Sequence, residues 1–490
     1  MCSEKLFRPF IRLMFNSHCG GIRLDEVSLM KRIGALLLCG ILLLPAAGAS
    51  GTPWPAWAAE ALAWGREKSV SRAFLASPGQ RLTRGAVARL LYESAGQPAA
   101  HEECPFSDVS EKDAAAVGWA AGQGYLTGVG DGTYEPGRPV TRQEFAAILW
   151  RQAGTPEVPV QGLERFGDAG TVSEWARDAV LWCQQAGVMA GRSGDKLAPE
   201  DTITTAEALV MLERAAGLPD VGQLRDDLEI LAAHHRPVGS QGEADAVRYL
   251  RDRFEEMGYS VTLQPYTDGQ GRTGHNVAAV KAASVPDADI LVLSAHHDSV
   301  PTAYGANDNA SGVAALLYTA EALRNVPTDT EVRFLSFTDE ENGKNGSRTY
   351  TASLTEEERT RIVGAIQFDM LGGLGSTGTL VCTVDGEANW VSDLLQKKNP
   401  GLESGVETAS DHTSFQLSGI PAVLLMQRGR GYLYHSAADT AEQLDLYAIA
   451  AAADSAEAAA EEICSADTPS YRALAREQGE RSAYRQTRQN

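Results

Sequence analysis

Cysteine is scarce in this 490-residue chain: there are seven, none spaced as C-x-x-C, and only Cys104, Cys183, Cys382 and Cys464 lie beyond residue 49. Four scattered thiols exclude a disulfide-stapled scaffold and a cysteine-held metal. Positive charge is also short, with 43 Lys and Arg against 64 Asp and Glu and a net charge of −21. That balance argues against nucleic acid or an anionic membrane surface as a partner. Two hydrolase signatures are missing. There is no G-x-S-x-G elbow for a nucleophilic serine, and no H-E-x-x-H for zinc held on one helix. No apolar run reaches the roughly 20 residues of a membrane span.

The longest apolar run, 33–47, follows Met30-Lys31-Arg32 and ends in the small-x-small pattern Ala47-Gly48-Ala49. A basic start, a short apolar stretch and a small-residue cleavage site make a secretory signal. Met30 then reads as the true start, with 1–29 as an extension. After cleavage no stable membrane span is expected. Residues 1–49 are set aside, and the mature chain is expected to carry three parts: 50–218, 219–465 and a polar, aperiodic tail at 466–490.

The first part repeats internally. Trp119, Gly124, Gly128, Pro136, Thr141 and Glu144 recur 63 residues later as Trp182, Gly187, Gly191, Pro199, Thr204 and Glu207. Phe106-Ser107-Asp108 recurs as Phe166-Gly167-Asp168, and a weaker first copy keeps Pro78 and Thr83. Each unit reads as helix, glycine-rich loop and a second helix opened by a threonine cap, as in T-R-Q-E-F-A-A-I-L-W. The patterns F-S-D-V, G-x-G-D-G-T-Y-x-P and T-R-Q-E resemble S-layer homology repeats. The resemblance implies an all-α three-repeat module, degenerate in its first and third copies, that holds secreted proteins to cell-wall polysaccharide. It places wall-polymer contacts on Arg84, Trp119, Gly128 and Arg142; the third repeat departs from it, with Thr205 where arginine is expected.

A linker is expected at 219–224, then two helices within 226–257. Short apolar runs at 290–294, 332–337, 362–368 and 422–425 alternate with helical stretches such as 311–324. That alternation predicts a mostly parallel or mixed sheet sandwiched by helices.

Chemistry-bearing residues gather behind those runs. His296 and Asp298 (A-H-H-D-S-V), Asp308 (G-A-N-D-N-A-S-G), Glu340 and Glu341 (T-D-E-E-N-G), Asp369 (Q-F-D-M) and His435 (Y-H-S-A-A-D-T) follow strand ends or turns. In an open α/β sheet the carboxyl ends of the strands share one crevice. Two imidazoles and three carboxylates suit a pair of zinc ions, leaving one carboxylate as a base. The H-x-D spacing selects His296 over His297. Asp308 has an ordinary alternative use, capping the helix near Ser311. Ser410-Asp411-His412 reads as a helix start, and Arg428 and Arg430 as a solvated loop.

In this order the motifs resemble the bacterial co-catalytic di-zinc aminopeptidases, a zinc aminopeptidase or phosphorylase/hydrolase-like fold. The resemblance implies His296 and Asp369 on one zinc, Glu341 and His435 on the other, and Asp308 bridging them. It makes Glu340 the general base, with Tyr434 donating to the oxyanion. Asp298 is expected behind His296 and Asp439 behind His435. The implied protein is secreted and wall-attached, and removes N-terminal residues from peptides. Alternatives within the fold are a carboxypeptidase, a dipeptidase or a glutaminyl cyclase; outside it, an inactive wall-binding protein.

Overall fold

A computed structural model describes residues 53–99, 104–156, 158, 162–192, 195–374, 376–431, 433–465 and 471–479; the expected signal segment lies outside them. Among the described residues no helix is long and apolar enough to cross a membrane, and Cys104, Cys183, Cys382 and Cys464 are all unpaired.

Helices Arg84–Ser94, Arg142–Gln152 and Thr205–Ala216 each begin after a threonine whose hydroxyl accepts a backbone N–H of the first turn. At Thr141 and Thr204 the glutamate three residues on completes a capping box. The residues just before these helices bond in a ring: Leu82 N donates to Ile203 O (3.0 Å), Val140 N to Leu82 O (3.0 Å) and Ile203 N to Val140 O (2.9 Å). The segment of the weak first copy thus joins the same ring as those of the other two copies. Asp108 accepts from the backbone N–H groups of Tyr134 and Glu135, and Asp168 from those of Leu197 and Ala198. This is why the F-x-D motif recurs: its carboxylate fastens each glycine-rich loop.

The connection to the next part is shorter than the sequence suggests. Helix Gly222–Leu231 begins inside the expected linker because Leu224, Leu228 and Leu231 are buried in the core of the α/β part. Helix Gln241–Glu256 follows, with Ala246, Leu250 and Phe254 buried.

Among the described residues, eight strands form one mixed sheet: β1 (Ser260–Thr267), β2 (Thr273–Lys281), β3 (Ile290–His296), β4 (Glu331–Phe337), β5 (Ile362–Phe368), β6 (Thr379–Thr383), β7 (Glu403–Val406) and β8 (Ala422–Gln427). Their order is β1-β2-β4-β3-β5-β8-β6-β7, with β4, β3, β5 and β8 mutually parallel at the centre. β3 is buried along its whole length. Its residues alternate between two cores: Leu291, Leu293 and Ala295 pack with helices Ser311–Leu323 and Leu446–Ser465, while Ile290 and Val292 pack with Tyr350 and Phe415. That period of two is the pleat of a strand covered on both faces.

The tail departs from expectation in one stretch. Residues 471–479 are helical, with Tyr471 against Trp390 at 4.7 Å and Gln478 Oε1 accepting from Trp390 N at 2.9 Å. Tyr471, Ala475 and Gln478 provide a docking face too sparse to show as periodicity.

Candidate metal centre

His296 ends β3, Glu340 and Glu341 follow β4, and Asp369 follows β5. Because β4, β3 and β5 are parallel neighbours, these side chains converge at one edge of the sheet. Asp308 arrives on the loop after β3, and His435 on the loop after β8. Asp339, Met370 and His435 all hold left-handed φ values, 54°, 55° and 57°. Such strain in non-glycine residues persists only where surrounding bonds impose it, and it clusters at functional sites.

The asparagine-rich loop shows why Asp308 is free. Asn309 Oδ1 accepts from Gly312 N at 2.9 Å and so caps the helix that Asp308 was a candidate to cap. Asn309 Nδ2 donates to Phe368 O, Ser311 Oγ accepts from Leu371 N, and Asn307 Oδ1 accepts from Gly372 N. Every polar neighbour is spent on tying the loop to the end of β5.

Asp308 then faces both histidines. Its Oδ1 lies 3.3 Å from His296 Nε2 and its Oδ2 3.2 Å from His435 Nε2. Asp369 Oδ1 is 3.6 Å from His296 Nε2, and Glu341 Oε2 is 3.0 Å from His435 Nε2. Two ligand-type groups result, His296–Asp308–Asp369 and Asp308–Glu341–His435, sharing Asp308. Five buried atoms in them lack a well-formed hydrogen bond: both ring nitrogens of His296, Asp369 Oδ1, Glu341 Oε1 and His435 Nε2. Buried polar atoms are costly when unsatisfied, and oxygen and imidazole donors of this kind fit zinc.

The electrostatics follow from burial and crowding. Burial lifts Glu340 well above the usual carboxylate range; His296 opposes the shift, while Asp411, Asp369 and Asp298 reinforce it. Burial also pushes Glu341 up to about 7. The carboxylates of Asp308 and Glu341, both close to its Nε2, raise His435 to about 10. Glu340 lies outside both ligand groups yet lines the same cleft.

Supporting residues divide into expected and unexpected. Asp298 accepts from Glu340 N (3.1 Å) and Glu341 N (3.2 Å) and lies 3.3 Å from His296 Nδ1. Asp439 does not serve His435: it accepts from Asn307 N at 2.8 Å and Asp308 N at 3.2 Å, aiming the shared carboxylate instead. His297 turns away, its Nδ1 sharing a hydrogen bond with Ser336. Three contributors were not among the expected site residues. Ser410 Oγ donates to Asp369 Oδ2 at 2.7 Å. Arg236, fully buried, donates to the carbonyls of His297, Tyr304 and Gly305 and pins the loop that carries Asp308. Arg430 lines the cleft beside Tyr434, Glu407, Met370 and Met426, whereas Arg428 pairs with Glu403. The S-D-H motif was the one visible signal for Ser410; Arg236 had none.

In the repeats, Arg84 and Arg142 occupy matching positions. Arg84 donates to Thr127 O and Tyr134 O, and Arg142 to Ala190 O and Leu197 O. Their surroundings differ. Arg84, Gly128, Arg138, Arg151 and Trp175 line an open groove of about 240 Å3. Arg142 is buried beneath Glu207 and Arg192, which close the equivalent place. Trp119 stands apart, packed on Tyr92 and Tyr125 at 5.7 Å each. Gly128 is required by packing, since a Cβ there would sit 2.6 Å from Phe106. A crevice of about 940 Å3 runs where Trp150 and Trp182 approach Tyr447, but no residue of the ligand cluster lines it, so size does not locate the chemistry.

A mixed α/β sheet with two histidines and three carboxylates gathered at its carboxyl edge, Asp308 common to both groups, fits a metal-dependent hydrolase class. Residues 276–460 match peptidase family M28, and residues 105–146 and 165–209 match the S-layer homology domain. The chain therefore carries an M28 peptidase domain behind S-layer homology domains. It is 35% identical over 169 residues to aminopeptidase YwaD of Bacillus subtilis, covering 33% of this chain and 36% of that protein. It is 32% identical over 209 residues to leupeptin-inactivating enzyme 1 of Streptomyces exfoliatus, covering 40% and 45%. The chain thus spans less than half the length of these curated relatives. Among solved structures, the aminopeptidase of Aneurinibacillus sp. strain AM-1 aligns at 25% identity and a TM-score of 0.47, over 50% of this chain and 93% of that one.

Proposed function

We propose that this protein is a secreted, cell-wall-attached aminopeptidase that removes N-terminal residues from peptides at a pair of zinc ions. The observation that carries the reading is the position of Asp308, with one carboxylate oxygen toward each histidine. His296, Asp308 and Asp369 would hold one ion, and Asp308, Glu341 and His435 the other. Bound there, zinc supplies Lewis acidity and an activated water. Glu340, whose burial raises its affinity for a proton, takes one from the attacking water and returns it to the leaving amine. Tyr434 donates its phenol O–H to the oxyanion that develops on the scissile carbonyl.

The names of the relatives, aminopeptidase among them, favour an amine end over a carboxylate end. Arg430, the guanidinium that lines the cleft, is already paired with Glu407, so it is not a free cation waiting for a C-terminal carboxylate.

The wall attachment rests on the S-layer homology match and on the groove of Arg84, Arg138, Arg151 and Trp175, where Arg138 is paired with Glu144 and the guanidiniums of Arg84 and Arg151 suit an acidic saccharide. Secretion rests on the sequence pattern at 30–49.

The test is a substrate panel on the purified protein. Aminoacyl anilides should be hydrolysed, while N-blocked peptides and peptides offered for C-terminal trimming should not. Turnover confined to C-terminal trimming, or cyclisation of N-terminal glutamine, would replace this reading.

A further inference from the structure

We infer that Arg430 is a positioning residue for the reaction: held by Glu407, it occupies the acceptor side of the Tyr434 hydroxyl and so directs that phenol's one O–H at the substrate. The inference rests on the aminopeptidase reading above. Its basis is the polarity of three hydrogen-bonding groups.

Arg430 Nη1 donates to Tyr434 Oη at 3.1 Å, and Nη2 donates to Glu407 Oε2 at 2.9 Å. The guanidinium carbon stands 5.1 Å from the centre of the Tyr434 ring. A guanidinium has donors and no acceptor. A phenol hydroxyl facing it must accept, which leaves its own hydrogen for another partner. Tyr434 and Arg430 line the same cleft as Asp308, Glu340 and Glu341, where the reacting carbonyl would lie. Had the neighbour been a carboxylate, the phenol would donate to it and its hydrogen would be unavailable.

Glu407 fixes the arrangement. Its Oε1 accepts from the backbone N–H of Thr408 and Ala409, so the carboxylate is anchored before it meets Arg430. Charge on the guanidinium is thereby matched at one end, and the other end faces the phenol. Tyr434 in turn stacks on His435 at 3.8 Å with planes 21° apart, so its ring cannot swing freely. The chain Glu407–Arg430–Tyr434 therefore aims a donor at the place where negative charge grows. Donors aimed in advance are worth far more than donors that must reorient.

A double-mutant cycle on the full chain separates this from general support of the loop. Wild type, Arg430→Met, Tyr434→Phe and the double variant are compared on an aminoacyl anilide, with Arg430→Lys as the conservative control and thermal melting to check folding. Arg430→Met is expected to lower kcat about 10-fold with little change in KM, against the ~100-fold scale of losing an oxyanion donor outright. In the Tyr434→Phe background the same change should cost almost nothing, because there is no hydroxyl left to aim. Arg430→Lys, still a pure donor, should restore most of kcat. An equal loss in both backgrounds, or a rise in KM at unchanged kcat, overturns the inference; the latter would make Arg430 a reader of substrate. Wild-type protein inactive on every anilide would instead sink the aminopeptidase reading, and this inference with it.

Discussion

Ser410 holds Asp369 by one oxygen only. The hydroxyl donates to Oδ2 at 2.7 Å, and Oδ1 is left without a hydrogen bond, 3.6 Å from His296 Nε2. The bond fixes which oxygen is offered to an ion. Ser410→Ala should weaken zinc binding about 10- to 100-fold, the usual cost of losing a group that orients a ligand. Competition against a coloured chelator measures this directly.

Glu340 and Glu341 are chain neighbours with separate surroundings. Glu341 meets His435, while Glu340 belongs to neither ligand group. Glu340→Gln should bind as much zinc as wild type and lose at least about 100-fold in kcat, the scale of general-base catalysis. Metal analysis beside a rate measurement checks both halves.

Much of this site is legible in the sequence, because ligand-type residues after strand-like runs announce themselves. Four apolar runs became β3, β4, β5 and β8, and their residues alternate between two faces as buried strands must. What escaped was long-range. Arg236 works through backbone carbonyls far along the chain, and no residue pattern records a carbonyl's direction. Asp439 was expected behind His435 because it lies four residues away; in the fold it reaches back to Asn307 and Asp308. Proximity in sequence misassigned its partner. Arg142 and Arg84 look alike as letters, yet Arg142 is buried beneath Glu207 and Arg192, whereas Arg84 still lines an open groove.

Glu207 links the repeats to acid stability. Burial raises its pKa, but bonds from Arg192 and Thr204 outweigh burial and bring it from 4.5 to about 2. A carboxylate lowered in the folded state stabilises fully above its unfolded value. That contribution is lost as pH falls from about 4.5 toward 2. Glu207→Gln should lower the melting temperature at pH 7 and flatten its fall across that window, as read by calorimetry. Removing the partner of largely buried Arg142 is expected to cost about 3 kcal/mol at neutral pH.

Trp175 tests the wall groove cleanly. It is 58% exposed and lines the groove beside Arg84 and Arg138. Trp175→Ala should cut cosedimentation of the full chain with purified cell wall several-fold, since sugar stacking on an indole is lost, while melting stays unchanged. Unaltered cosedimentation would move wall attachment elsewhere on the repeats.

Asp308 is proposed to be shared by a pair of metal ions. Protein stripped by a chelator and titrated with zinc, with aminoacyl-anilide hydrolysis followed at each addition, tests it most directly. Activity should vanish on stripping and return to a plateau at two zinc ions per chain, with Asp308→Asn unable to retain the pair. Full activity in the stripped protein, or a plateau at a single ion, would contradict it.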